Sequence, residues 1–223
     1  MDFIVEALRL QGQERILDLA CGFDRHSLEL AHRGYSVVGV DITPDYIEYA
    51  RKQAAKGRRD VKYRDEFDVV LNMADAIGSF GTEEENLRLF NVIASALKVG
   101  GKHVMGVCSA DHAIKHFPKR HWEAGSKSLS LADFKWQANT SRMIYESRVL
   151  EFGEVLEPFS NEFPDPTDDN AGTRLYTLDE LRHILRDREM TITAAYGTYN
   201  TSVPASDRHI MSVVGSHKEK PNK

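Results

Sequence analysis

Two acids and one glycine-bearing turn are the residues of this chain best suited to build a ligand site. The stretch "ILDLACGFDRHSLELA", residues 16–31, passes from a strand-like apolar run through a turn at Ala20–Arg25 into helical spacing. Gly22 carries no side chain, so backbone there lets a ligand approach closely. Asp41 ends a second apolar run, "YSVVGVD", roughly 20 positions after Gly22, where a carboxylate accepts hydrogen bonds from both hydroxyls of a ribose. Together these positions describe an adenosine site. A dinucleotide would expect glycine where Ala20 and Asp24 stand, and its pyrophosphate on a helix N-terminus disfavours a carboxylate beside it. S-adenosylmethionine suits the turn better, because it has no phosphate and carries a cationic sulfonium and ammonium. Asp18 and the turn backbone are positioned to meet the ammonium, and Arg25 the carboxylate.

The elements that must hold these residues alternate between strand and helix. "FIVEALRL" (Phe3–Leu10) has helical spacing, and "RILDLA" (Arg15–Ala20) is a buried strand. "HSLELAHRG" (His26–Gly34) is a helix stopped by Gly34, and Tyr35–Asp41 is the second strand. Thr43 caps a third helix over 44–56, with Pro44 in its first position and Gly57 after its end. Phe67–Met73 is another buried strand. The run "EEENLRLFNVIASALKVGG" is a helix with acids at its start that ends at Gly100–Gly101, and Lys102–Cys108 follows as a strand. Later, "TLDELRHILRDREM" is a helix capped by Thr177, with Glu180 three residues on. It leads into two strand-like runs, "TITAAYGTY" and "HIMSVVGSH". The expected fold is α/β: a doubly wound, mostly parallel sheet of seven-stranded type, closed by an antiparallel C-terminal hairpin. Residues 1–108 and 171–223 form its core, and 109–170, where no helical period is sustained, form an inserted lid. One stretch is too short. Between a strand candidate at Val61–Tyr63 and the strand at Phe67 only three residues intervene, spanning at most about 11 Å, whereas a parallel crossover needs roughly a dozen. Residues missing between Tyr63 and Arg64 are the expectation; a degenerate unit is the alternative.

The segments "ILDLACGFDRHSLELA", "VVGVDITPDYIEYARKQA", "FDVVLNMADAIGSF" and "ALKVGGKHVMGV" together resemble a class I S-adenosylmethionine-dependent methyltransferase of the small-molecule type. The resemblance covers residues 14 to 108 closely and the ending, 173 to 217, in outline. It implies that Asp18, Ala20, Cys21, Gly22 and Arg25 surround the methionine part of the cofactor, that Asp41 holds the ribose, and that Ile42 lies beside the adenine. Asn72, Met73 and Ala74 would lie beneath the sulfonium and face the acceptor. Two departures stand out. Asp24 occupies a place the family usually gives to glycine, and the acid that follows the third strand is missing.

Methyl transfer from a sulfonium is an in-line displacement, so the protein positions the acceptor and, where needed, removes its proton. In the lid, His112 is the candidate base because it lies just past the strand ending at Cys108. His116, His121, Trp122, Tyr145 and Arg174 are candidate acceptor contacts. "NMAD" stands where amino-methylating nucleic-acid enzymes have an Asn/Asp-Pro-Pro-aromatic run, and no Pro-Cys nucleophile occurs. The net charge of −5 also argues against a nucleic-acid partner, and the basic clusters at Lys56–Arg64 and Lys115–His121 read as solvated surface. Asp165, Asp168 and Asp169 gather acids in "DPTDDN", but a solvated turn explains them without a metal. Met73 and Met105 suit core packing. Two cysteines outside any metal spacing, with no membrane-spanning run, suggest a reduced, cytoplasmic protein. The expected activity is methyl transfer to O or N of a small molecule, with S-adenosylmethionine as cofactor. A nucleotide-dependent oxidoreductase and a non-catalytic binding subunit of the same fold remain as rivals.

Overall fold

The computed structural model describes residues 1–53, 66–73, 76–116, 119–153, 172–209 and 211–220. The region of Val61–Tyr63 and the Tyr63–Arg64 junction lies outside these, as do Ala74 and the acids of "DPTDDN". The described elements run α1 (Asp2–Leu8), β1 (Arg15–Leu19), α2 (Arg25–His32), β2 (Ser36–Val40), α3 (Pro44–Gln53), β3 (Phe67–Asn72), α4 (Glu83–Ala96), β4 (Leu97–Cys108) and α5 (Ala110–His116). They continue with β5 (Arg120–Ala124), β6 (Ser128–Gln137), β7 (Arg142–Glu151), β8 (Thr173–Arg174), α6 (Leu178–Arg186), β9 (Met190–Tyr196) and β10 (Met211–Lys218).

The main sheet has the order β2-β1-β3-β4-β10-β9. β1 to β4 are parallel, and β10 alone runs against both of its neighbours. Strands buried on both faces show why apolar runs mark them so well. Leu17, Val70, Met105 and Val214 face α4 and α6, meeting Phe90, Ile93, Leu181 and Leu185. Their chain neighbours Ile16, Val69, Val104 and Val213 face the other way, onto Phe3, Ile4 and Leu8 of α1 and Leu30 of α2. Order reverses between β1 and β3, the switch point beyond whose carboxyl ends such sheets bind ligands.

Two helices start where the sequence indicates. Thr82 and Thr177 each form a reciprocal capping box, with Glu85 and Glu180. The end of α4 differs from expectation: the helix stops at Ala96, not at Gly100–Gly101. Leu97 is fully buried and extended, and it pairs with Phe67 at the root of β3, so burial draws these residues into the sheet.

Residues 109–153 are more regular than their lack of helical period suggests. After α5 they form an antiparallel sheet, to which Thr173–Arg174 adds a short fourth strand in the order β5-β6-β7-β8. Only "SLSL" at the start of β6 alternates; the apolar phase shifts after Leu131, and "RMIYESRVLE" has no regular period, so the sequence marks these strands weakly.

His103 sits inside the main sheet, 0% exposed, with Nδ1 3.3 Å from the Ser216 hydroxyl and no hydrogen bond at Nε2. Burial pushes its pKa down to about 3. The folded state therefore disfavours the imidazolium, and the unfolded chain binds the extra proton. Its contribution to stability is complete above the ordinary histidine value and is lost as pH falls toward about 3. Urea midpoints measured from pH 7 to pH 5 should decline, with His103 accounting for about 1 kcal/mol per pH unit in the lower half of that range. The His103→Phe variant should show a shallower decline; an equal slope would remove His103 from the acid sensitivity.

Candidate functional site

The turn between β1 and α2 is the tightest backbone feature at the switch point. Ala20 (φ 62°), Gly22 (φ 53°) and Asp24 (φ 65°) all adopt left-handed conformations. The positions that the resemblance expects to be glycine thus keep glycine-like geometry although alanine and aspartate occupy them. A left-handed alanine costs about 1–2 kcal/mol, whereas asparagine and aspartate tolerate the region better. Ala20→Gly should accordingly stabilise the fold by about 0.5 kcal/mol once the greater freedom of the unfolded glycine is counted. Chemical denaturation reads this, and a loss of stability would show that the Ala20 methyl contributes packing.

Beside Gly22 the space is open: a Cβ built there would meet no atom within 4 Å. Its amide donates to Asp41 Oδ2 at 2.9 Å, while Asp41 Oδ1 accepts from the Thr43 amide at 2.9 Å. One carboxylate therefore ties the β1–α2 turn to the start of α3. Each oxygen keeps a lone pair for a further donor. Beyond it, Ile42 is 86% exposed, and the half-exposed rings of Phe23 and Tyr46 lie 4.4 Å apart. Neither ring was indicated by the sequence reading; an aromatic inside the turn, matched by one on the first turn of α3, is the available signal.

The floor of the site is polar and closed. Asn72 ends β3, 1% exposed, and donates from Nδ2 to the Leu19 carbonyl at 3.0 Å, across the switch point. Its Oδ1 is buried without a hydrogen bond. Asp18 stands in β1. It is 1% exposed, and its Oδ2 accepts from Ser27 at 2.7 Å, so the carboxylate is sealed inside the turn as a brace between β1 and α2. Met73 packs its side chain into the apolar layer beneath α1, and Cys21 is buried with its amide bonded to Val40. Arg25 is exposed at the start of α2. Asp24 caps that helix from a buried position without a side-chain capping bond. A carboxylate there opposes a phosphate at this helix end.

The lid candidates separate. His112 lies on α5, with Nδ1 2.8 Å from the Asp207 carbonyl, while Lys115 pairs with the Asp207 carboxylate at 2.7 Å. A proton on Nδ1 donating to that carbonyl leaves the lone pair on Nε2, the tautomer of a base. His116 is exposed, its ring 5.3 Å from that of His112. Tyr145, on β7, faces Phe134 across the lid sheet at 6.1 Å. His121 and Trp122 stand on the outer strand β5, where Trp122 is 67% exposed. Arg174 is engaged elsewhere than an acceptor contact requires. Its guanidinium bonds Glu180 at 2.5 Å, reaches Glu83 at 3.6 Å and lies 4.4 Å over the Tyr176 ring. These partners make it a bracket joining β8, α4 and α6.

Comparison with known proteins agrees with the geometry. A family model described as a methyltransferase domain matches residues 16–101. The ubiquinone biosynthesis O-methyltransferase of Pelagibacter ubique is 29% identical over 147 residues, which cover 57% of this chain and 61% of that protein. The glycine N-methyltransferase of Rattus norvegicus is 27% identical over 135 residues, 50% of this chain and 46% of that one. The chain thus spans only about half of the curated relatives' length. A crystal structure of an S-adenosylmethionine-dependent methyltransferase from Clostridium acetobutylicum superposes with a TM-score of 0.76 at 16% identity. That alignment covers 98% of this chain and 90% of the other, and it establishes a shared fold. No helix among the described residues is long and apolar enough to cross a membrane.

Proposed function

From a methyltransferase domain over residues 16–101, set in the class I S-adenosylmethionine-dependent methyltransferase fold, we infer that this chain binds S-adenosylmethionine and methylates an oxygen or nitrogen of a small molecule. The observation that carries this reading is the open space at Gly22 beside a fixed carboxylate, Asp41. The residues present fit an adenosine-bearing cation. Asp41 keeps acceptor capacity for two ribose hydroxyls, and Ile42 offers an exposed apolar face for adenine. Asn72 Oδ1 is an orphaned acceptor, and the turn backbone is left-handed at Ala20, Gly22 and Asp24. The curated relatives named above act as an O-methyltransferase and an N-methyltransferase, which supports keeping both acceptor atoms in the proposal.

When bound, S-adenosylmethionine supplies an electrophilic methyl group on a sulfonium. The chain's own work is then orientation and proton handling. Ala20, Cys21 and Gly22 offer backbone to the methionine part, with Arg25 at the rim for its carboxylate. Asp18 braces this turn through Ser27 and, at the end of β1, stands behind the backbone that would meet the ammonium. Asn72 and Met73 form the floor near the reacting centre, Met73 through its backbone. The proposed base is His112, because the Asp207 carbonyl fixes its Nδ1 proton and leaves Nε2 to accept one from the acceptor. The acceptor enters under residues 109–170, the proposed lid on a core of 1–108 and 171–223.

The test is calorimetric titration with S-adenosylmethionine and with NADH, followed by a panel of small hydroxy and amino acceptors scored by formation of S-adenosylhomocysteine. Micromolar binding of S-adenosylmethionine alone is expected. NADH binding in its place, or no binding at millimolar concentration, would overturn the reading.

A further inference from the structure

We propose that two copies of this chain pair edge to edge through β5, joining their four-stranded lid sheets into one continuous sheet. The inference is independent of the proposed activity. β5 is the outermost strand of the sheet β5-β6-β7-β8, and all five of its residues are exposed. Its inner edge is bonded to β6. Beyond β5's own ladder, the Gly125 amide donates to the Ser128 carbonyl at 2.8 Å and the Phe134 amide to the Lys119 carbonyl at 3.0 Å. In an antiparallel ladder such bonds alternate along the strand. Odd-numbered residues therefore point their backbone groups inward, and Arg120, Trp122 and Ala124 point theirs outward. Among the described residues no strand receives them.

The sequence of β5, Arg-His-Trp-Glu-Ala, complements itself when reversed. A twofold axis through Trp122 sets it opposite Trp122 of the second copy and sets Arg120 opposite Ala124. Every outward amide and carbonyl then finds a partner, giving about six ladder bonds. The intervening positions set His121 opposite Glu123 twice, a favourable cross-strand pair. An axis through His121 or Glu123 instead opposes like residues and leaves outward groups unmatched. The side chains agree. Trp122 shares a face with Leu131 and Arg148 through cross-strand pairing. The twofold extends that row with its own mirror, covering an indole that is 67% exposed in the single chain. Natural edge strands are usually guarded by proline, lysine or a bulge. None of these falls within Arg120–Ala124 itself, although Lys119 adjoins the strand, and Arg120 is held back on its own sheet by Asp133 at 2.8 Å.

Sedimentation equilibrium of the full chain tests the pairing. A species of twice the 25.2 kDa chain mass is expected at about 50 μM. Trp122→Pro removes the central outward amide and should weaken association by about a hundredfold. His121→Glu opposes two carboxylates in each of two pairs and should weaken it about tenfold. Adding Glu123→Lys to His121→Glu should restore it, which a change in folding alone would not do. A monomer at that concentration, a dimer indifferent to His121→Glu, an open-ended assembly, or absence of rescue in the double variant would each overturn the proposal.

Discussion

Asp41→Ala is expected to weaken S-adenosylmethionine binding by about a hundredfold, the loss of two charge-assisted hydrogen bonds. The carboxylate has two functions in this structure. Toward the interior, its oxygens hold the Gly22 and Thr43 amides at 2.9 Å each, fixing the turn and the start of α3. Toward the open side, the remaining lone pairs face the proposed ribose. Asp41→Asn separates these functions, because its single carbonyl oxygen can replace only one of the two acceptors. It should retain one backbone tie, and its affinity should fall between those of the wild type and Asp41→Ala. Calorimetry against both S-adenosylmethionine and S-adenosylhomocysteine measures this. The two ligands share the ribose and should weaken by the same factor. A loss confined to the sulfonium ligand, or none at all, would remove Asp41 from the ribose site.

This site could be foreseen in its outline because its parts lie at the ends of buried strands. Apolar runs such as Val69–Leu71, and Ile16–Leu19 interrupted only by Asp18, arise because both faces of β1 and β3 are covered, and they fix where the following turns must stand. Gly22 and Asp41 then fall at neighbouring strand ends. The same logic could not reveal that Asp18 is sealed by Ser27, since a strand residue and a helix residue meet only after the turn has closed. Nor could it foresee the tasks of the arginines. Arg174 is a candidate acceptor contact in the sequence, whereas in the fold Glu83, Glu180 and Tyr176 converge on it from two helices and a loop. The sheet β5-β6-β7-β8 escaped a search for helical period because its strands have neither that period nor a sustained alternation, with polar residues on both faces. Histidines and aromatics in such a sheet alternate sides, so proximity in sequence, as for His121 and Trp122, does not bring them to one pocket.

Arg142→Met is expected to destabilise the protein by about 3 kcal/mol, the cost typical of breaking a buried polar network at a charged residue. Arg142 opens β7 and is 4% exposed. Its guanidinium donates to the Gly172 carbonyl at 2.8 Å, to Phe80 at 3.1 Å and to Gly81 at 2.5 Å. Methionine matches much of its volume yet leaves these carbonyls buried without that donor. From the other side, Asn86 holds the same loop, accepting from the Phe80 amide at 3.2 Å and donating to the Phe80 and Thr82 carbonyls. The loop from Ala76 to Thr82 is thus clamped between α4 and β7. It also receives β8: the Arg174 amide bonds the Gly78 carbonyl at 2.8 Å, and a Cβ on Gly78 would fall 1.9 Å from the Arg174 oxygen. Because this loop follows the strand end at Asn72, the sheet carrying β7 and β8 is tied beside the floor of the proposed site. A thermal midpoint lowered by about 6–12 °C follows from the stability loss. Activity measured well below that midpoint should fall through a higher KM for the acceptor, while affinity for S-adenosylmethionine stays near wild type. Lysine at 142 should behave nearly as badly, since one ammonium cannot span the carbonyls that a planar guanidinium reaches. An Arg142→Met protein that melts normally would mean that the lid is held by other contacts, and that the guanidinium is dispensable to the junction.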